Sequence, residues 1–307
     1  MIGTAKNMLW ILSMALLICG YGGNDRVSAS TGAKQSRKSI PRSMRIISTS
    51  PSITESLFAI GLGKNVVGVT EYCNYPREAL KIAKIGGFID PNPEAIVRLK
   101  PDIIFVHDDR RQQFRRLEQI GLRVVVIRQR SVDDIMNVLL QMGKACNALP
   151  KAEAVVRSMR QKIAHIQRKT AGKDKPSVLI CVGMGGSPLD RVYVAGRKNF
   201  FNDIIEMVGG VNACHDSVME MPSMTAEGLI RLNPRIVIDL VPNTTAYRSN
   251  VGEEKAKWKK LTLLGAVRNN KVFILTKEYI VVPGPRFINT LDDVARIVHP
   301  EIDWKKP

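Results

Sequence analysis

The sequence predicts an α/β protein of two similar lobes with mostly parallel sheets, joined by a single long α-helix. Three observations predict it. Short apolar runs alternate with amphipathic ones, the pattern of parallel strands covered by helices. A twelve-residue phrase occurs twice, as EAIVRLKPDIIF from Glu94 and as EGLIRLNPRIVI from Glu227. Between the two copies lie roughly forty residues, 131–170, with helical spacing and no strand pattern.

The first lobe opens on Arg45-Ile46-Ile47-Ser48-Thr49, a short apolar strand broken by Ser50-Pro51-Ser52. Ser52 and Glu55 read as a capping box for a helix over Ile53–Ile60, with Gly61 and Gly63 as its stop. Val66–Val69 is a second strand, followed by the loop TEYCNYP from Thr70 and a short helix near 77–83. Pro93 suits the first turn of the repeated helix, which stops before Pro101. Asp102–Val106 is then a buried strand, Gln113–Ile120 a helix ended by Gly121, and Arg123–Ile127 another strand.

SVDDIMNVLLQMGKACNAL and KAEAVVRSMRQKIAHIQRK repeat apolar residues every three or four positions. Asp133 and Asp134 favour a helix start there. An interval this long without a strand is unusual in an alternating fold, and a helical connector between two domains explains it. After Pro176 the alternation resumes, with strands at Val178–Val182, Arg191–Ala195, Ile236–Leu240 and Val272–Leu275 and a helix over Asn199–Val208. The expected organisation is a signal peptide over 1–29, a flexible linker over 30–44, a first lobe over 45–147, the connecting helix over 148–172 and a second lobe over 173–307.

The N-terminus carries the signal. Met8–Cys19 is an apolar run of about a dozen residues after Lys6, too short to span a bilayer. Val27-Ser28-Ala29 fits a cleavage site. The rival reading is lipidation at Cys19, against which stands the bulk of Ile18 just before it. The expected location is therefore outside the inner membrane, in the periplasm. The net charge of +18 lies partly in the leader and tether, through Lys6, Arg26, Lys34, Arg37, Lys38 and Arg42. The rest is spread along the chain, without an arginine-rich arm or a nucleic-acid motif, so a nucleic-acid partner is not expected. Export permits disulfides among Cys73, Cys146, Cys181 and Cys214, whose spacing matches no zinc or redox motif and fixes no pairing. Cys181, in an apolar strand, reads as a buried free thiol.

RIISTSPSITESLFAIGLGKNVVGVTEYCNYP, GGFIDPNPEAIVRLKPDIIF, NFFNDIIEMVGGVNA and PSMTAEGLIRLNPRIVI together resemble the substrate-binding proteins of ABC importers for cobalamin, ferric siderophores and haem. The resemblance runs from about Arg45 to the C-terminus. It implies two Rossmann-like lobes, a ligand in the cleft between them, no catalytic residue and no resident cofactor. It also implies a monomer that delivers a small metal-containing ligand to an ABC permease dimer with its ATPase. In that family an exposed glutamate on each lobe docks on permease arginines, and Glu94 and Glu227 match those positions by motif. As residues alone they are also ordinary first-turn helix glutamates, favoured by the dipole by roughly 0.3–1 kcal/mol.

Open parallel sheets hold ligands at the carboxyl ends of their strands. The loops expected there offer Ser50, Pro51, Tyr72, Tyr75, Phe88, His107, Met184, Arg197, Met221, Tyr279 and Arg286. Aromatic and thioether side chains suit the face of a corrin or porphyrin, and arginines suit an anionic chelate. Tyr75 and Phe88 equally suit loop packing, Arg286 an acidic neighbour, and His107 either a metal or a loop hydrogen bond. The TEYCNYP and GGF sequences place cobalamin or a related corrinoid first, a ferric siderophore second and haem third. His107 and Met221 depart from the aromatics that cobalamin binders carry. An enzyme reading rests on Gly183-Met184-Gly185-Gly186-Ser187, which lacks both the phosphate-loop ending and the nucleophile-elbow pattern. A tetrapyrrole chelatase-like enzyme remains the enzymatic alternative, and the export signal argues against it.

Overall fold

The computed structural model describes residues 43–184, 191–241 and 250–305. The signal peptide, nearly all of the linker, Cys19 and the Gly185-Gly186-Ser187 stretch lie outside the described residues.

Elements follow in order: β1 (Ile46–Ser48), α1 (Pro51–Ala59), β2 (Val66–Val69), β3 (Ala83–Lys84), α2 (Pro93–Arg98), β4 (Ile103–His107), α3 (Arg111–Gln119), β5 (Val124–Ile127), α4 (Val132–Ala145) and α5 (Leu149–Thr170). The chain continues through β6 (Ser177–Met184), β7 (Val192–Val194), α6 (Phe200–Met207), β8 (Val211–Asn212), β9 (Ser223–Met224), α7 (Ala226–Leu232), β10 (Ile236–Leu240), α8 (Val251–Lys259), α9 (Gly265–Arg268), β11 (Val272–Leu275) and α10 (Phe287–Val298).

The first sheet has order β3-β2-β1-β4-β5, and every pair in it is parallel. The order reverses at β1, so the ends of β1 and β4, adjacent through Ser48 and Phe105, form the switch point of the lobe. The second sheet has order β11-β10-β6-β7-β9, with β8 beside the start of β6. Here β11, β10 and β6 are parallel, but β7 runs antiparallel to both of its neighbours, β6 and β9. The reason is connection length. Only residues 185–191 join β6 to β7, and a parallel return needs a dozen residues or more.

Side-chain alternation sorts each central strand between two layers. Ile46, Ile103 and Phe105 enter one large core that also takes Val178, Ile180, Ile236 and Ile238 of the second sheet. Ile47, Ile104 and Val106 point the other way, under Phe114 and Leu117 of α3. Leu179, Cys181 and Val237 likewise form a separate outer layer with Trp258. The inner faces of the two sheets therefore share one continuous core, filled by α1, α4, α5, α6 and α10.

α5 buries Ala152, Val156, Met159, Ile163, Ile166 and Thr170, a stripe spaced alternately by four and three residues. Its 22 residues extend about 33 Å at 1.5 Å each. α10, which the sequence reading did not identify, returns the chain to this core through Phe287, Leu291, Val294 and Val298. The start of α1 differs from expectation. Ser50, not Ser52, is the cap: its hydroxyl accepts from the Ile53 amide, and Pro51 fills the first turn. Glu55 closes no capping box, being buried in an ion pair with Arg286.

Candidate functional site

The carboxyl ends of β1 and β4 build one wall of an open cleft. His107 ends β4, and its Nε2 lies 2.9 Å from Ser50 Oγ and 3.1 Å from Ser52 Oγ. Ser50 thus caps α1 and orients an imidazole with the same hydroxyl. Burial pushes the His107 pKa down, against the pull of Asp109 and Asp108, so the ring is neutral near pH 7. Phe88 meets it edge-on, with centroids 6.1 Å apart and planes at 74°. The Arg110 guanidinium lies 4.9 Å from the Phe88 centroid.

These residues border a cavity of about 530 Å³. Ser50, Pro51, Ser52, Tyr72, Phe88, Ile89, Asp90 and His107 of the first lobe line it together with Val281, Val282 and Pro283 of the second. Tyr72 and Ile89, 60% and 68% exposed, leave apolar surface open to the cavity. The volume falls within the range of small-molecule sites.

The geometry gathers Ser50, Pro51, Tyr72, Phe88 and His107 into this cavity and places Tyr75, Arg197, Met221, Tyr279 and Arg286 outside its lining. Tyr75 and Arg286 border a second cavity of about 620 Å³ against α5. Arg286 is taken up by Glu55, to which Nε and an NH2 donate at 2.9 and 2.6 Å, and it stacks 3.7 Å from the Tyr75 centroid. Of the readings open for Arg286, the acidic neighbour is the one the structure displays. The Tyr279 hydroxyl donates to Asp293 Oδ2 at 2.7 Å. Arg197 is exposed at a polar groove with Arg128 and Arg130. Met221 is partly exposed on the loop before β9. Met184 ends β6, and its side chain lies outside the described part.

Sequence reasoning missed Ser52, Ile89, Asp90 and Val281–Pro283 as cavity residues. The Pro283-Gly284-Pro285 turn was a visible signal for the last group, since such a rigid segment suits a wall. It also missed the links between lobes. Arg130 donates to Asp108 Oδ2 at 3.0 Å and to Glu220 Oε1 at 3.1 Å. Asp203 of α6 accepts from the Val132 amide at the start of α4, at 2.8 Å, and burial raises its pKa. All four described cysteines are buried free thiols.

Glu94 and Glu227 are both exposed, each at the second position of its helix. Asn92 caps α2 by accepting from Ala95 N at 3.0 Å, and Thr225 caps α7 by accepting from Gly228 N at 3.3 Å. The Thr225 hydroxyl and the residue's own amide hold the Glu227 carboxyl below the usual range, so it is ionised at neutral pH.

Two α/β lobes on a common core, with an open, largely apolar cleft at the strand ends, define a bilobal small-molecule receptor. The chain belongs to the periplasmic binding protein family, whose model matches residues 46–279. It is 29% identical over 265 residues to an ABC transporter substrate-binding lipoprotein of Bacillus subtilis, covering 84% of this chain and 80% of that one. It is 26% identical over 253 residues to the vitamin B12-binding protein of Vibrio parahaemolyticus, covering 82% and 88%. An ABC transporter substrate-binding protein from Listeria monocytogenes shares the fold, with a TM-score of 0.73 at 21% identity over 84% of this chain and all of that one. The protein is thus a substrate-binding component of an ABC importer, taking a small molecule to a permease and its ATPase. Among the described residues no helix is long and apolar enough to cross a membrane.

Proposed function

We propose that the protein captures cobalamin or a related corrinoid outside the inner membrane and delivers it to a permease dimer, with Glu94 and Glu227 as the docking contacts. The observation that carries the ligand reading is the cavity itself. Its lining combines Phe88 and Tyr72 of one lobe with Val281–Pro283 of the other, apolar surfaces suited to a flat macrocycle. His107 adds a neutral, oriented imidazole to this lining. A relative that binds vitamin B12, aligned over most of both chains, supports the same class.

A corrinoid is larger than this cavity, so its remainder would project past the exposed Tyr72 and Ile89. The test is retention of a chromophore. Purified protein is incubated with cobalamin, ferric siderophores or haem, desalted, and its visible spectrum recorded. Cobalamin retained at one per chain is the expected result; retention of an iron chelate or haem instead would replace the ligand.

Docking is tested separately. Paired Arg–carboxylate contacts fix register and speed encounter. Glu94→Ala with Glu227→Ala is expected to abolish uptake in a reconstituted importer while leaving ligand affinity intact. Affinity that falls along with uptake would refute the docking role.

A further inference from the structure

Besides α5 and the links made by Arg130 and Asp203, one segment ties the second lobe to the residues that line the cleft. From Glu278 to Arg286 the chain runs as a strap between β11 and α10. It starts with a 3-10 turn, Glu278–Val281, and presents Val281, Val282 and Pro283 to the cavity. It then lies on α1 of the first lobe: a Cβ at Gly284 would stand 3.5 Å from both Ser52 Cα and Glu55 Oε2. It ends at Arg286, whose guanidinium grips Glu55 through two hydrogen bonds. The two side chains are only 15% and 2% exposed. Tyr75 covers the guanidinium at 3.7 Å, and the Tyr279 ring stands 5.6 Å from it.

The arrangement couples both walls of the cleft to one helix. The first turn of α1 carries Ser50 and Ser52, which hold His107. One turn further on, the same helix carries Glu55, which holds the strap. Together with Ile280 and Phe287 in the shared core, a planar, two-point ion pair therefore holds the Val281–Pro283 segment against the helix that carries the His107 partners. Such a pair is directional, which a single apolar contact is not.

We infer that Glu55 and Arg286 are positioning residues for ligand capture: they touch no ligand, but fix the width of the cleft by clamping the strap to α1. This rests on the cleft being the ligand site, and it gives Arg286 a part in binding without contact.

The test separates clamp width from ligand identity. Spin labels are placed at Lys81→Cys in the first lobe and Lys255→Cys in the second, both exposed positions, and their distance distribution is measured without ligand. Arg286→Lys keeps the charge but loses the two-point grip. Glu55→Leu with Arg286→Met replaces the pair by apolar groups, a change that buried ion pairs commonly tolerate without unfolding. The expected result is a broader or shifted distance in both variants, with cobalamin affinity at least tenfold weaker and a denaturation midpoint near wild type in the double variant. An unchanged distance in the folded double variant, or cobalamin affinity within twofold of wild type, overturns the inference. If the wild-type chain retains no cobalamin, the ligand reading fails, and the distance measurement still decides the clamp.

Discussion

Asp239 lies in the middle of the second sheet, and its environment sets a measurable dependence of stability on pH. By the alternation of β10 it points into the outer layer, beside Val237 and against Trp258. Trp258 Nε1 donates to Oδ2 at 2.8 Å, while Oδ1 is buried without a partner among the described residues. Burial is the largest cause that raises its carboxyl from 3.8 to about 6, with the Trp258 bond opposing and Glu254 adding to the rise. That difference corresponds to about 3 kcal/mol between the protonated and ionised folded states. The sign follows from proton binding. Below about pH 4 the group is protonated in both states and no penalty exists. Between about 4 and 6 the unfolded chain loses this proton first, so stability falls as pH rises, and the whole penalty is present above about 6. Asp239→Asn removes the titration but adds an amide that lacks an acceptor where Oδ1 was, at a cost of about 1–2 kcal/mol at every pH. The variant should therefore be less stable than wild type by about 1 kcal/mol at pH 4, where the unfolded carboxyl is already half ionised, and more stable by about 1–2 kcal/mol at pH 8. Urea denaturation of both proteins at both pH values reads the difference, and titrating groups not coupled to Asp239 cancel in the comparison. The same stability difference at pH 4 and pH 8 would refute the reasoning.

Ser50→Ala removes the α1 cap and one of two hydroxyls on His107; it should cost about 1 kcal/mol by denaturant midpoint and weaken ligand binding beyond what that stability loss explains. The thiols of Cys73, Cys146, Cys181 and Cys214 are buried, with the Cys146 pKa pushed up to about 11. They should react with a thiol reagent only after unfolding, and fast labelling of the native chain would contradict the buried placement. Solution scattering with and without saturating ligand should show no large compaction, because α5 and the shared core resist hinge motion; a large compaction would contradict this.

The legible part of the fold was the part governed by local rules. Strand runs such as Val66–Val69 and Ile236–Leu240 carry enough consecutive β-branched residues to be read directly, and both were observed with those bounds. The stripe on α5 was legible because burial follows the 3.6-residue period. What escaped was set by partners distant in sequence. Glu55 followed Ser52 at capping-box spacing, yet its partner lies 231 residues away. Nothing local separates a capping glutamate from one awaiting an arginine. The antiparallel turn of β7 escaped because a strand of three residues has no direction readable from composition. At the site, Ser50 and His107 were legible as loop residues at strand ends, while their hydrogen bond depends on the order of strands in the sheet. Val281–Pro283 escaped because apolar loop residues read as packing until the wall they face is known.

The repeated phrase bears most directly on how the two lobes present themselves. The two copies agree beyond sequence. Each helix is capped by a side chain, from Asn92 or Thr225, and places its glutamate second. Each copy then passes through a positive-φ residue, Lys100 at 47° or Asn233 at 43°, directly before its proline and the next strand. Packing accounts for the aliphatic positions, since Ala95, Ile96 and Leu229 are buried. Helix termination accounts for the turn, because a left-handed residue commonly ends a helix and the proline after it cannot continue one. The caps account for the helix starts. None of these demands fixes a glutamate. Both acids are exposed, and a first-turn carboxylate gains only roughly 0.3–1 kcal/mol from the dipole, an advantage aspartate would share. Glu227 does take a hydrogen bond from its cap, Thr225, but a charge held at the same exposed helical position in both lobes supports an external partner that meets each lobe through the same chemistry. A permease of two equivalent subunits is such a partner.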